Sequence, residues 1–355
     1  MRGPGRTDPW RESGVLIVLL AVLIRPGTIE LQEAVIPEPS EGELLVKVKA
    51  SLTCGTDLKA FVRGHPLIPM PGPLGHEFSG IVVDKGKGAS KFKVGDAVMA
   101  VHSAPCLACS YCRRGLFNLC ENLMSKTVLG AFSEYVLLPK HVVSQNVFKK
   151  PDSLSFKEAA FLEPLACVLH GVEPLGMRKK DTVFIIGAGP IGLLHLIIAK
   201  SKGARVIITG LEEERLKIAR RLGADLVFEP SQTIKSVRDF TEGMGADYVI
   251  ECTGQPSIWE ASLEYVRKGG TVSLFGGCRT GTTVTFDAAR LHYDEITLKG
   301  TFHFSPEDVK RAALLLKRGT VNVKKLISGT YPLKEIHTVF EKLVKGEGIK
   351  YALVP

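Results

Sequence analysis

Four cysteines, Cys106, Cys109, Cys112 and Cys120, lie within fifteen residues in the spacing C-x2-C-x2-C-x7-C. Four thiolates held that close together match tetrahedral Zn(II), which takes soft sulfur donors and can be fully enclosed by them. A closed site of this kind leaves no place for substrate; it braces a loop. Two competing readings are chance clustering of free thiols and a disulfide knot. The repeated C-x2-C spacing argues against the first. The wide scatter of the remaining cysteines, Cys54, Cys167, Cys252 and Cys278, argues against the second.

A second chemical feature is the run Ile186-Gly187-Ala188-Gly189-Pro190-Ile191-Gly192. G-x-G-x-x-G alone is a weak signal, equally compatible with a structural glycine turn. Between a strand and a helix it acquires a mechanism. Gly187 permits a tight turn, Gly189 lets a pyrophosphate approach the backbone, and Gly192 permits close helix–strand packing at the positive helix end. The acid that would hold the ribose hydroxyls belongs about twenty residues on, where Gly210 stands, followed at once by Glu212, Glu213 and Glu214. A missing acid admits a 2′-phosphate, whereas the trio, offset by Arg215 alone, repels one, so NAD is favoured over NADP. The trio also suits a helix N-terminus, where carboxylates oppose the dipole. Thr253-Gly254 and Gly276-Gly277 follow later strands and fall where the nicotinamide half would lie.

The third feature is dispersed. Cys54-Gly55-Thr56-Asp57, Gly75-His76-Glu77 and Glu163-Pro164-Leu165-Ala166 offer a thiolate, an imidazole and carboxylates. Singly, Cys54 is more simply a core cysteine and His76-Glu77 a turn. Together, a mixed Cys/His/Glu set holds Zn(II) while leaving a place for water or substrate, as a catalytic site requires.

The elements that must position these groups divide into two textures. From Ile29 to about Val136 the chain reads as short strands and turns, with Val46, Val48 and Ala50 alternating with Lys47 and Lys49. Further on, strands at Thr182–Ile186, Arg205–Thr209, Ala246–Glu251 and Thr271–Phe275 alternate with helices at Pro190–Lys200 and Glu212–Leu222. Such alternation predicts a parallel sheet covered on both faces. A last helix is expected at Pro306–Lys317 and a strand at Tyr351–Val354.

A length of 355 residues suits about two domains. The charged fraction of 23% alongside 45% hydrophobic residues excludes a disordered or membrane-embedded chain. The net charge of +9 favours anionic ligands, but without Lys/Arg runs or aromatic–basic repeats it does not suggest nucleic-acid binding. The apolar run Val15–Ile24 is too short to span a bilayer and is followed by Arg25-Pro26-Gly27, with no small-residue cleavage pattern. Its later part reads as a buried strand, residues 1–17 as a disordered extension, and a cytoplasmic location is expected.

Taken in order, C-G-T-D, G-H-E, the four-cysteine segment, E-P-L-A and G-A-G-P-I-G make the chain resemble the zinc-dependent medium-chain alcohol dehydrogenases. The resemblance runs from about Leu20 to Pro355 and is to the branch containing sorbitol and threonine dehydrogenases. It implies an α/β fold: a GroES-like β-rich catalytic domain (residues 18–167 and 301–355) with an inserted Rossmann doubly wound parallel sheet (168–300). It further implies that Cys54, His76 and Glu163 bind a catalytic zinc, Glu163 directly or through water. Glu77 would be a neighbouring carboxylate able to enter the shell. Two zincs per chain and a homodimer or homotetramer are implied as well.

The implied reaction is hydride transfer between a nicotinamide cofactor and a secondary alcohol, polyol or amino alcohol. The metal lowers the pKa of the substrate hydroxyl, and the Thr56 hydroxyl passes its proton outward. Asp57 is expected to serve local structure. Some relatives carry a histidine shuttle five residues after the first cysteine ligand; here that residue is Lys59, which reads as a solvated lysine and leaves the outer relay open. His65 and His170 are expected to be structural or substrate-adjacent. Two other classes compete: a zinc-independent quinone or enone reductase on the same scaffold, and a non-catalytic dinucleotide-binding protein.

Overall fold

The computed structural model describes residues 17–355; the expected extension up to residue 16 and the start of the first apolar run lie outside the described residues, while Ile17, expected to end the extension, opens the strand Ile17–Arg25. Six parallel strands form one sheet in the order 226–228, 205–209, 182–186, 246–251, 266–274, 297–300. This is the doubly wound order in which the chain reverses direction between the first and fourth strands in sequence, opening a crevice at their carboxyl ends. The central strand Thr182–Ile186 is buried throughout, as expected for a strand covered on both faces.

A seven-stranded sheet draws on both chain ends. Lys350–Val354 lies between Ile327–Pro332 and Leu44–Leu52, and the order continues through Glu77–Lys85, Ala97–Ala100 and Val147–Lys149, with Tyr135–Leu138 also paired to Leu44–Leu52. The alternation at Val46–Ala50 is realised: Val46, Val48 and Ala50 are buried, while Lys47 and Lys49 are half-buried. A smaller three-stranded sheet is formed by Thr28–Val35, Ile17–Arg25 and Gly72–Pro73. The helix Leu162–Val172 joins the two large sheets. Its buried Leu165, Ala166, Val168 and Leu169 share one core with Leu52 and Met99 on one side and with Val183, Ile185 and Leu194 on the other.

Several boundaries differ from the sequence reading, most by one residue: the helix from Pro190 ends at Ser201 and the last strand begins at Lys350. The strand expected at Thr271–Phe275 spans Val266–Leu274, because Lys268-Gly269-Gly270 gives no apolar pattern to read. The helix expected from Glu212 begins at Glu213, with Glu212 as its N-cap residue. No helix among the described residues is long and apolar enough to cross a membrane.

Candidate metal centres and dinucleotide crevice

The four-cysteine segment folds into a lobe in which the donor sulfurs of Cys106, Cys109, Cys112 and Cys120 all lie within 4.8 Å of one another. The Cys106 and Cys112 Sγ atoms are 4.0 Å apart. Leu107 adopts a left-handed backbone (φ 59°), which turns the N–H groups of Ala108 and Cys109 onto Cys106 Sγ at 3.5 and 3.4 Å. Led by the Ala108 N–H, these donors bring the Cys106 thiol down to about 6, while burial pushes Cys112 up to about 12. Backbone donors aimed at a sulfur stabilise a thiolate, the form that binds metal. Ser110 Oγ donates to Glu121 Oε1 at 2.7 Å and closes the lobe.

The dispersed residues also converge. Cys54 caps the helix Gly55–Arg63, His76 precedes the strand Glu77–Lys85, and Glu163 lies in the first turn of Leu162–Val172. Donor atoms of Cys54, His76 and Glu77 fall within 4.8 Å of one another. A thiolate, an imidazole and a carboxylate gathered at this spacing suit Zn(II).

Glu163 stands beside this group rather than in it. Its Oε1 is 3.6 Å from His102 Nδ1 and accepts from Cys167 Sγ at 3.5 Å. The Asp57 carboxylate accepts from the Cys54 backbone N–H at 3.2 Å and lies 3.2 Å from His76 Nδ1. Asp57 therefore holds the Cys54 N–H and sets its charge beside His76, favouring a proton on Nδ1 and leaving Nε2 as the donor for a metal. Burial opposes a charged His76, but Asp57 and then Cys54 outweigh it and hold the imidazole well above its ordinary pKa.

The carboxyls move the same way for a different reason. Burial raises Glu77 to about 7 against the pull of Lys350, and it raises Glu163 against His76 and Lys350. Burial, with His76 and His303 nearby, pushes His102 well below the usual imidazole range.

The glycine turn sits at the crevice. Gly187 has φ 108°, and a Cβ at Gly192 would come within 1.9 Å of the Gly187 carbonyl oxygen, so the turn closes only around glycine. At Gly189 no described atom lies within 4 Å of such a Cβ, which leaves room for a phosphate at the start of the helix Pro190–Ser201. Gly192→Ala therefore overpacks the turn, at about 1–3 kcal/mol. The expected result is dinucleotide affinity weaker by roughly tenfold to a hundredfold, measured by calorimetry. Gly189→Ala should leave the melting temperature unchanged and weaken binding only.

Thr253-Gly254 is set by Glu251, whose Oε1 accepts from the Thr253 and Gly254 N–H groups at 2.6 and 3.1 Å. The Thr253 methyl lies 3.0 Å from a Cβ placed at Gly187, so both turns face one crevice. Lys59, expected to be solvated, is half-buried, and its Nζ donates to the Gly277 carbonyl at 3.4 Å. The helix that carries Cys54 at its cap therefore lies against the carboxyl edge of the parallel sheet.

The missing acid at Gly210 has a steric cause: a Cβ there would meet the Ala188 Cβ at 2.7 Å. Of the acidic trio, Glu213 and Glu214 pair with Arg220 and Lys217, each at 2.7 Å, as helix-surface ion pairs. Glu212 alone stays near the ribose end, 3.5 Å from Arg215. His170 is tied to Asp308 at 2.8 Å, and His65 Nδ1 accepts from the Leu67 N–H at 3.3 Å, so both serve local structure.

Two residues escaped the sequence reading. Lys350 is a buried lysine in an otherwise apolar strand, detectable in sequence only as a charge interrupting the run Ile349 to Val354. His303 has φ 62° and shares a 2.7 Å hydrogen bond with Ser103, 200 residues away in sequence; nothing in the sequence marks it.

Comparison with known proteins matches a model of the alcohol dehydrogenase GroES-like domain to residues 40–152 and a zinc-binding dehydrogenase model to residues 190–318. The chain is 34% identical over 336 residues to a sorbitol dehydrogenase of Halalkalibacterium halodurans, covering 93% of this chain and 96% of that one. It is 35% identical over 326 residues to a D-arabitol-phosphate dehydrogenase of Enterococcus avium, covering 89% and 90%. A protein of Sinorhizobium meliloti 1021, described as a zinc-binding dehydrogenase and solved bound to NADP, superposes with a TM-score of 0.87 at 32% identity. That match covers 96% of this chain and 100% of its own.

Proposed function

The chain belongs to the zinc-type medium-chain alcohol dehydrogenase family, and from that premise we propose that it oxidises a secondary hydroxyl of a polyol at a centre built on Cys54, His76 and a buried carboxylate. The observation that carries this reading is the convergence of Cys54, His76 and Glu77 within 4.8 Å, with Cys54 capping a helix whose Lys59 reaches the sheet edge at Gly277. Zinc held there would supply Lewis-acid polarisation of the substrate oxygen, and a nicotinamide cofactor bound in the crevice would supply the hydride acceptor.

The protein's own groups do the rest. Asp57 holds the Cys54 backbone N–H and sets its charge beside His76 Nδ1. Thr56 Oγ1 takes the hydroxyl proton and hands it toward solvent. Gly187, Gly189, Pro190, Ile191 and Gly192 cradle the pyrophosphate, and Thr253 and Gly254 bound the nicotinamide side. Residues 18–167 and 301–355 form the catalytic domain around 168–300. The strand Thr297–Gly300 ends the parallel sheet with a single strand partner among the described residues, an edge that a second copy can extend into a homodimer or homotetramer.

We infer NAD as the cofactor, with Glu212 on the ribose hydroxyls. Arg215 is not free to take a 2′-phosphate, because it donates to the carbonyls of Gly348 at 2.9 Å and Gly346 at 3.1 Å. The expected kcat/KM with NAD exceeds that with NADP by at least about tenfold, equivalent to about 1.4 kcal/mol. The test is a screen of polyols, polyol phosphates, amino alcohols and simple secondary alcohols against both cofactors, following reduced-cofactor absorbance. Equal or inverted cofactor ratios refute the NAD assignment, and no turnover of any alcohol refutes the polyol reading.

A further inference from the structure

Glu251 ends the strand Ala246–Glu251 at the carboxyl edge of the parallel sheet, in register with Ile186 on one side and Leu274 on the other. It is wholly withdrawn from solvent, with a relative exposure of 0%. A carboxylate buried there is costly unless donors saturate its oxygens. Its Oε1 accepts from the Thr253 N–H, the Thr253 hydroxyl and the Gly254 N–H, and its Oε2 lies 3.2 Å from the same Gly254 nitrogen. The Gln255 N–H donates to Thr253 Oγ1 at 3.2 Å, which leaves the hydroxyl proton for Glu251. Glu251 thus meets its neighbours as an acceptor only, the role of the ionised form. Burial raises its pKa against Thr253, Gly254 and Trp259, none of them a cation.

The same residue holds the neighbouring strand end. Its carbonyl accepts from the Phe275 and Gly276 N–H groups at 3.0 and 2.8 Å, and its Oε2 would be 2.8 Å from a Cβ at Gly276. The Trp259 indole N–H donates to the Gly276 carbonyl at 3.0 Å and closes this side. Lys59 reaches the edge from the helix Gly55–Arg63, but its Nζ stops at the Gly277 carbonyl, 3.4 Å away. A negative charge held by hydrogen bonds alone therefore lies behind both turns that bound the nicotinamide half of the crevice.

The two oxidation states of a nicotinamide differ by one positive charge on the ring. A ring resting on the Thr253-Gly254 turn lies one buried layer of backbone from Glu251. At that separation a unit negative charge changes the affinity for a cationic ring by roughly tenfold and leaves a neutral ring little changed. We propose that Glu251 is a counter-charge for the oxidised nicotinamide: it raises the affinity of the crevice for the cationic ring relative to the neutral one. The inference rests on the dinucleotide site proposed above. Glu251 acts from behind the Thr253-Gly254 turn as a positioning residue, and it touches neither substrate nor cofactor. Once the alcohol carbon has passed its hydride to the ring and the hydroxyl proton has left toward solvent, the ring is neutral and this attraction ends. Release of the reduced cofactor is thereby favoured.

The test is calorimetry of the full-length protein with the oxidised and reduced forms of whichever cofactor, NAD or NADP, it binds. Glu251→Gln keeps the side-chain shape and an acceptor oxygen but removes the charge. It is expected to weaken the oxidised form by roughly tenfold and to leave the reduced form within about twofold of the parent. The fragment that lacks nicotinamide, ADP-ribose or its 2′-phosphate, should bind parent and variant equally. Glu251→Asp keeps the charge on a shorter arm, so both forms weaken together and their ratio stays at the parent value. If Glu251→Gln weakens both forms and the fragment alike, the role is structural only and the proposal is overturned. A ratio moved as far by Glu251→Asp as by Glu251→Gln overturns it too. Should only Glu251→Asp fold, a ratio changed by about tenfold overturns the proposal and a ratio held at the parent value supports it. A parent protein that binds neither cofactor removes the dinucleotide site itself, a failure distinct from an unmoved ratio.

Discussion

Cys54→Ser is expected to abolish turnover while leaving dinucleotide binding intact. The substitution exchanges a soft thiolate for a hydroxyl that is neutral at working pH, so the centre loses one anionic donor and its preference for Zn(II). Lewis-acid stabilisation contributes several kcal/mol to such a reaction. Its loss corresponds to a fall in kcat of roughly a thousandfold or more. The dinucleotide turn is untouched, because Gly187 to Gly192 belong to the parallel sheet and its first helix. The fold should also survive, since Cys54 is only half-buried and the helix retains the Asp57 bond to the residue-54 N–H. Steady-state assays paired with cofactor calorimetry and metal analysis read all three outcomes. Activity within tenfold of the parent would rule out Cys54 as a ligand.

The legible parts of the chain were those where chemistry follows local spacing. The four cysteines and the glycine turn each act within fifteen residues, and the structure brings both groups together as expected. The alternating half was equally legible, because a strand covered on both faces must be continuously apolar, as Thr182–Ile186 is. The dispersed centre was legible only as a set of residue types. Which carboxylate stands nearest depends on contacts spanning far more sequence: Glu77 and Lys350 are 273 residues apart, and His102 and Glu163 meet between separate elements.

Lys59 shows the same limit, since its position against Gly277 spans 218 residues and no local pattern announces it. Gly210 shows a further limit. Spacing reveals that the acid is absent but not why: a Cβ there would meet the Ala188 Cβ at 2.7 Å.

Cys112→Ser should damage stability far more than chemistry. Cys112 is buried within a lobe whose small core is Cys112, Cys120 and Leu123, with Phe117 and Met124 packed against it, too little apolar material to fold unaided. A zinc held by the four thiolates would therefore supply most of the lobe's folding free energy, as in other small metal-nucleated units. Removing one of four thiolates also buries a hydroxyl where sulfur had a metal partner.

A loss of about 3 kcal/mol lowers the melting temperature by roughly 6–12 °C for a unit of this size. Metal analysis should fall from two zincs per chain to one, with the remaining ion retained at Cys54. The lobe also touches the segment that follows the last strand of the parallel sheet: Asn118 Nδ2 donates to the Phe302 carbonyl at 3.1 Å, one residue before the left-handed His303. Some loss of kcat is therefore expected, but of about tenfold or less, because one hydrogen bond contributes about 1 kcal/mol. A melting temperature unchanged by Cys112→Ser, or a parent protein that holds a single zinc, would remove the four-cysteine lobe from the structural role assigned to it.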